Sequence, residues 1–171
     1  MPLFGRERDI KFFKGINKEL LRDIISQQIS FYKLEMSSTP FNIYGEASKE
    51  KFYGGPTLIN CLIERGDQKY IETDFGTDLG WDHNFWVLNE DLKESNILPE
   101  IGDIIEYEYN FYEVYELIQN QLFMGKDPAK SITPNPYTNN IEKYGFNVST
   151  ICKTHYTPKD KVGINLQERI I

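Results

Sequence analysis

The side chains from which ligand or nucleophile chemistry would be built are few: His83, His155, Cys61, Cys152 and the aspartates Asp74, Asp78 and Asp82. Cys152 and His155 are three positions apart, and with His83 and Asp82 they make four zinc donors on paper. Structural zinc sites normally use two clear ligand pairs. Alternation along a strand also sends Cys152 and His155 to opposite faces. Asp74, Asp78 and Asp82 recur at every fourth position of ETDFGTDLGWDHN. A calcium loop needs acidic ligands at alternate positions, a fixed glycine and a closing Glu, and that register is absent. Gly76 and Gly80 suit a loop with Asp at its turns. Asp74-Phe75-Gly76 copies the kinase metal-binding triplet, but the phosphate loop, strand lysine and catalytic loop that must accompany it are missing. Ser37, Ser38 and Ser131 have no nucleophile-elbow context. The expectation is a chain without catalytic residues, resident metal or cofactor. A small enzyme or ligand-binding barrel using His83, Asp82 and His155 is the minor alternative, and it requires those residues to converge on one pocket.

The elements that would position these groups are mainly strands. Pro99 to Ile118, PEIGDIIEYEYNFYEVYELI, mixes apolar residues with Glu106, Glu108, Glu113 and Glu116. That mixing predicts a half-buried hairpin, with Gly102-Asp103 and Asn110 as turn signals. Further strands are expected at 41–45, 57–64, 68–73, 83–88, 120–123 and 147–156, and a helical turn at Glu90–Ser95. One amphipathic helix is expected at 17–35. Asn17 would cap it, and Leu21, Ile24, Ile25, Ile29 and Tyr32 would line its apolar side. Pro40 would end the run. Residues 1–15 read as an arm carrying Phe4, Phe12 and Phe13 between charges. Residues 16–171 read as a single β-rich domain, a small barrel or sandwich with long loops. The longest loop, 124–146, holds Pro128, Pro134 and Pro136 among asparagines, and so long a loop is usually functional. The fold class is therefore α+β: mainly β with one N-terminal helix.

Composition narrows the function classes. The chain has 171 residues, enough for one domain with a real core. It contains 11 Tyr, 11 Phe and 2 Trp, residues that favour strands and protein–protein contacts. Net charge is −7. The basic cluster Arg6, Arg8, Lys11 and Lys14 is broken by Glu7 and Asp9, which argues against a surface that grips nucleic acid by its phosphates. No run approaches the roughly 20 apolar residues of a membrane span. The opening MPLFGRERDIKFFKG has charge where a signal peptide needs an apolar stretch, so no export signal is expected. Cys61 and Cys152 lie in strand-like apolar surroundings and are expected as buried free thiols.

Three segments carry a family resemblance. An early amphipathic helix, Asn17–Leu34, is followed by Asn42-Ile43-Tyr44-Gly45-Glu46 and Lys51-Phe52. Then comes Pro99 to Gly102-Asp103, closed by Phe111-Tyr112-Glu113-Val114. Over residues 17–118 this order resembles the neck proteins of T-even-type contractile-tailed phages and their marine relatives, also called head completion or head-to-tail connector proteins. The resemblance implies a non-enzymatic, β-rich virion subunit, made in the host cytoplasm and repeated in a homo-oligomeric, hexameric ring between a DNA-filled head and the tail. The implied partners are a portal-side connector or adaptor, a tail terminator or other tail protein, and genomic DNA passing without sequence-specific binding. The alternative within the connector is a tail terminator or stopper-type adaptor. The chain is shorter than the T-even members, and 124–146 has no counterpart in them. Phe4, Phe12, Phe13, Trp81, Trp86, Tyr137, Ile170 and Ile171 are the candidate subunit-interface residues.

Overall fold

A computed structural model describes residues 7–39, 51–73, 76–119, 148–162 and 164. The chain begins with a helix, α1 (Glu7–Glu19), continued by a π-helical turn over Leu20–Ile25. Ser26, at φ 50°, then turns the backbone left-handed and stops the helical run. The strands β1 (Gln28–Tyr32), β2 (Thr57–Thr73), β3 (Gly76–Leu88), β4 (Ile104–Tyr107), β5 (Asn110–Ile118) and β6 (Ser149–Thr157) follow. Two short helices, α2 (Asn89–Glu94) and α3 (Lys159–Val162), come after β3 and β6. The six strands close into an antiparallel barrel in the order β1-β2-β3-β6-β5-β4.

The expected helix over 17–35 needs correction. Helical structure starts earlier, at Glu7, and ends at Ile25, while Gln28–Tyr32 is a strand. The spacing of Leu21, Ile25, Ile29 and Tyr32 imitates a helix face. QISFY nevertheless pairs on both edges: Ser30 lies opposite Leu58 of β2 and Glu106 of β4. Closing the barrel wins over the local period. Leu21 is buried, whereas Ile25 is half-buried and Ile24 exposed.

The interior is filled by one face of every strand. Ile29, Phe31, Ile59, Cys61, Phe85, Val87, Ile105, Tyr112, Val114 and Cys152 pack together, with Leu92 of α2 beside them. A barrel this narrow holds only its own side chains.

The hairpin at 99–118 also departs from expectation. Both of its faces are covered, not one. Ile105, Tyr112 and Val114 point into the barrel, while Ile104 and Phe111 join Tyr32 and Val162 of α3 in a second apolar cluster outside. Glu106 is buried there, and the Tyr32 hydroxyl donates to its carboxylate at 2.8 Å. The turn between β4 and β5 is Glu108-Tyr109, not Asn110, which opens β5. Both turn residues have positive φ, 49° and 64°, the backbone that a two-residue hairpin loop demands. Neither is a glycine, so the turn is strained and needs support. Arg65 supplies it, donating to the Glu108 carboxylate and the Tyr107 hydroxyl, each at 2.6 Å.

Strands expected separately at 57–64 and 68–73 form one strand with an irregularity between Arg65 and Gln68. Gly66 sits at that point, and a Cβ there would lie 2.1 Å from the Asp82 carbonyl oxygen. Only glycine allows this approach. Beyond it β2 and β3 continue as a ribbon, from Gln68 opposite Trp81 to Thr73 opposite Gly76. Among the described residues no other strand pairs with the ribbon. The expected strands at 41–45 and 120–123, the loop 124–146 and the Asn42–Glu46 segment lie outside the described residues.

Candidate functional site

The structure separates the residues that could have formed a chemical centre. β3 places His83 inside the barrel and Asp82 outside. β6 places Cys152 inside and His155 outside, as strand alternation requires. His155 lies between Asp82 of β3 and Glu113 of β5 in the strand register. Glu113 is paired with Lys51 at 2.8 Å. Among the described residues no group of three His, Cys, Asp or Glu could hold a metal ion. Asp74 and Ser131 lie outside the described residues. Ser38 is used in a turn, where its hydroxyl donates to the Glu35 carboxylate at 3.1 Å.

His83 is packed as an aromatic ring. It stacks on Tyr112, with centroids 4.7 Å apart and planes 20° from parallel, and meets the edge of Trp81 at 4.9 Å. Its Nδ1–H donates to the Asp82 carbonyl at 2.8 Å. Burial holds its pKa below the ordinary histidine value, and the Arg65 guanidinium adds to this. The Asp82 carbonyl, Glu108 and the Asp82 carboxylate oppose it. The neutral ring is therefore favoured by folding. The unfolded chain binds a proton here at higher pH than the folded one does, so stability is lost as pH falls through the ordinary value near 6.5. Thermal unfolding of the wild type should drop between neutral pH and about pH 5, with a slope from this group of no more than about 1.4 kcal/mol per pH unit. His83→Phe should flatten that slope. A variant with the wild-type slope would show that His83 does not titrate across the transition.

Cys61 and Cys152 are free, fully buried and pushed up to about 12, chiefly by burial. Thiolate chemistry is shut off at neutral pH. Neither thiol should react with a disulfide reagent in the native protein, and both should react in denaturant. Fast labelling of the native state would contradict the closed interior.

The other candidate residues belong to surfaces. Phe12 and Phe13 are exposed on α1. Trp81 is half-buried against the barrel, its indole N–H donating to the Gly66 carbonyl at 3.3 Å. Trp86 lies on the outer wall in a cross-strand row with Leu62 and Ile151, and its indole N–H reaches Glu64 at 3.4 Å. Phe4, Tyr137, Ile170 and Ile171 lie outside the described residues.

The strongest surface feature was not anticipated. One side of the N-terminal helical run carries Lys14, Lys18 and Arg22, which meet the acidic face of α2. Lys14 pairs with Glu90 at 2.8 Å, Lys18 with Glu94, and Arg22 with Asp91 at 2.7 Å and Glu94 at 2.6 Å. The opposite side carries Phe12, Ile16, Leu20 and Ile24, all exposed. Four apolar residues at a strict spacing of four were the available signal. The boundary expected at residue 15 cuts the stripe between Phe12 and Ile16. Other exposed apolar side chains include Leu58 and Leu62 on β2, Tyr70 on the ribbon, Tyr109 at the β4–β5 turn and Tyr115 on β5. A small hollow lined by Lys14, Leu88, Glu90 and Val148 is no larger than a water molecule.

No family model matches the chain, and no curated protein matches it.

Proposed function

We propose that this chain is a structural subunit of a phage neck, repeated in a hexameric ring that joins the DNA-filled head to the tail. The observation that carries the reading is where its apolar surface lies. The barrel interior is filled by its own side chains, and large apolar residues remain exposed outside it, Leu58 and Leu62 on β2, Tyr70 on the ribbon, Tyr109 at the β4–β5 turn and Tyr115 on β5 among them. Surface of this kind suits contacts between subunits. Strand alternation sets Asp82 and His155 on the outer wall, away from His83 and Cys152 inside. A net charge of −7 suits a channel past which phosphates slide without sticking. In the ring each copy meets its neighbour through the same two patches. The portal-side adaptor lies on one side, the tail terminator on the other, and genomic DNA passes through.

The test is assembly without the chain. In cells infected by a phage lacking this reading frame, filled heads and separate tails should accumulate, and added purified protein should join them. Tailed, infectious particles formed in its absence would overturn the reading.

A further inference from the structure

The N-terminal helical run has two faces at the same spacing. Lys14, Lys18 and Arg22 hold it to α2, while Phe12, Ile16, Leu20 and Ile24 face away, 69, 47, 39 and 72 % exposed. In an α-helix, a residue four positions on lies about 40° farther round the axis, so such a stripe drifts sideways. The π turn over Leu20–Ile25 is wider and rotates less per residue. It brings Ile24 back toward the line of Phe12 and straightens the stripe. Beside the stripe runs a flank of Lys11, Gly15, Glu19 and Asp23, all exposed and also four apart. This flank is basic at one end and acidic at the other.

We infer that the stripe docks antiparallel on the same stripe of a second copy of this chain. Two antiparallel helices set each flank against its own counterpart. Lys11 then meets Asp23 of the second copy, and Gly15 meets Glu19, with no side chain in the way. A parallel pair would set this flank against the opposite one, where Phe13 and Asn17 offer no charge. The contact joins apolar to apolar along the middle and opposite charges along the edge. From Phe12 to Ile24 the stripe spans about 18 Å. Such an area falls below the roughly 1,200 Å² of a stable complex, so the pair is weak and forms at micromolar or higher concentration. It is isologous and stops at two copies, so it is not the ring joint. It belongs to the free protein and does not depend on where the protein is used.

The experiment is sedimentation of the full chain over a concentration series, with folding followed by circular dichroism. The wild type should pass from monomer to dimer. Ile16→Asp should remain folded and weaken pairing by about tenfold or more. Lys11→Glu and Asp23→Lys should each weaken it through like-charge contacts. The double variant Lys11→Glu/Asp23→Lys should restore it, because both charges are exchanged on both helices. A monomer at every concentration would overturn the inference, and so would a dimer indifferent to Ile16→Asp. Single charge variants that pair normally, or a double variant that fails to recover, would overturn the antiparallel arrangement. None of these outcomes touches the neck reading, which is decided in particles.

Discussion

Phe85→Ala is expected to lower the unfolding free energy by about 3–5 kcal/mol. Phe85 lies on the inward face of β3, fully buried. Its ring meets Tyr112 edge-on at 5.9 Å and Tyr107 at 6.2 Å, and His83 lies 6.1 Å away. β3 is held on both sides, with Phe85 opposite Ile63 of β2 and Cys152 of β6. The strands around it therefore cannot collapse into the space the ring leaves, and the cavity term is added to the lost burial. A domain of this size has about 5–15 kcal/mol of stability, so the variant would be near the edge of folding at 37 °C. Phe85→Leu keeps most of the volume and should cost less than half as much. Urea unfolding of the two variants gives the check. A loss below about 1 kcal/mol for Phe85→Ala would mean that the barrel is not packed around this ring.

Asp103→Ala is expected to cost about 2–3 kcal/mol through lost hydrogen bonds alone. Asp103 is fully buried just before β4. Its carboxylate accepts from the Leu34 backbone N–H at 2.9 Å, the Glu100 N–H at 2.7 Å and the Lys33 ammonium at 3.2 Å. Burial pushes the carboxyl upward, while the two backbone donors and Lys33 pull it down. One side chain thus ties the segment after β1 to the turn that starts β4. Alanine leaves those donors without their acceptor where the chain packs closely. Asn should rescue only in part, since its NH₂ faces donors. Thermal unfolding of Asp103→Ala equal to wild type would show that solvent replaces these bonds freely.

Much of the barrel wall was readable from residues. β2, β5 and β6 follow apolar and aromatic runs within a few positions of the expected bounds, and α2 falls on the Glu90–Ser95 turn, whereas β3 begins at Gly76, seven residues before the expected 83 and across a stretch expected as a loop. The period-two pattern survives there because those strands line one interior. β1 was not readable, since its apolar spacing continues that of the helix before it. Only pairing with β2 and β4 makes it a strand. The second cluster around Ile104 and Phe111 was also hidden, because it depends on α3 returning over β5 from distant sequence. The left-handed Glu108-Tyr109 turn left no trace in residue type; Arg65, 43 positions away from Glu108, sustains it. At the surface, the separation of Cys152 from His155 was legible from alternation. The exposed stripe was legible only in its spacing. Which side of the helix meets the barrel is settled by Lys14, Lys18 and Arg22 against α2, a contact that local sequence does not encode.

The proposed role is that of a ring subunit at a head–tail junction. Electron cryomicroscopy of purified intact particles tests it most directly, with copies counted against the portal by quantitative mass spectrometry. The expected result is a closed hexameric ring of these barrels at the neck, around the DNA channel. Absence of the chain from intact particles, or its presence as a single copy, would contradict it.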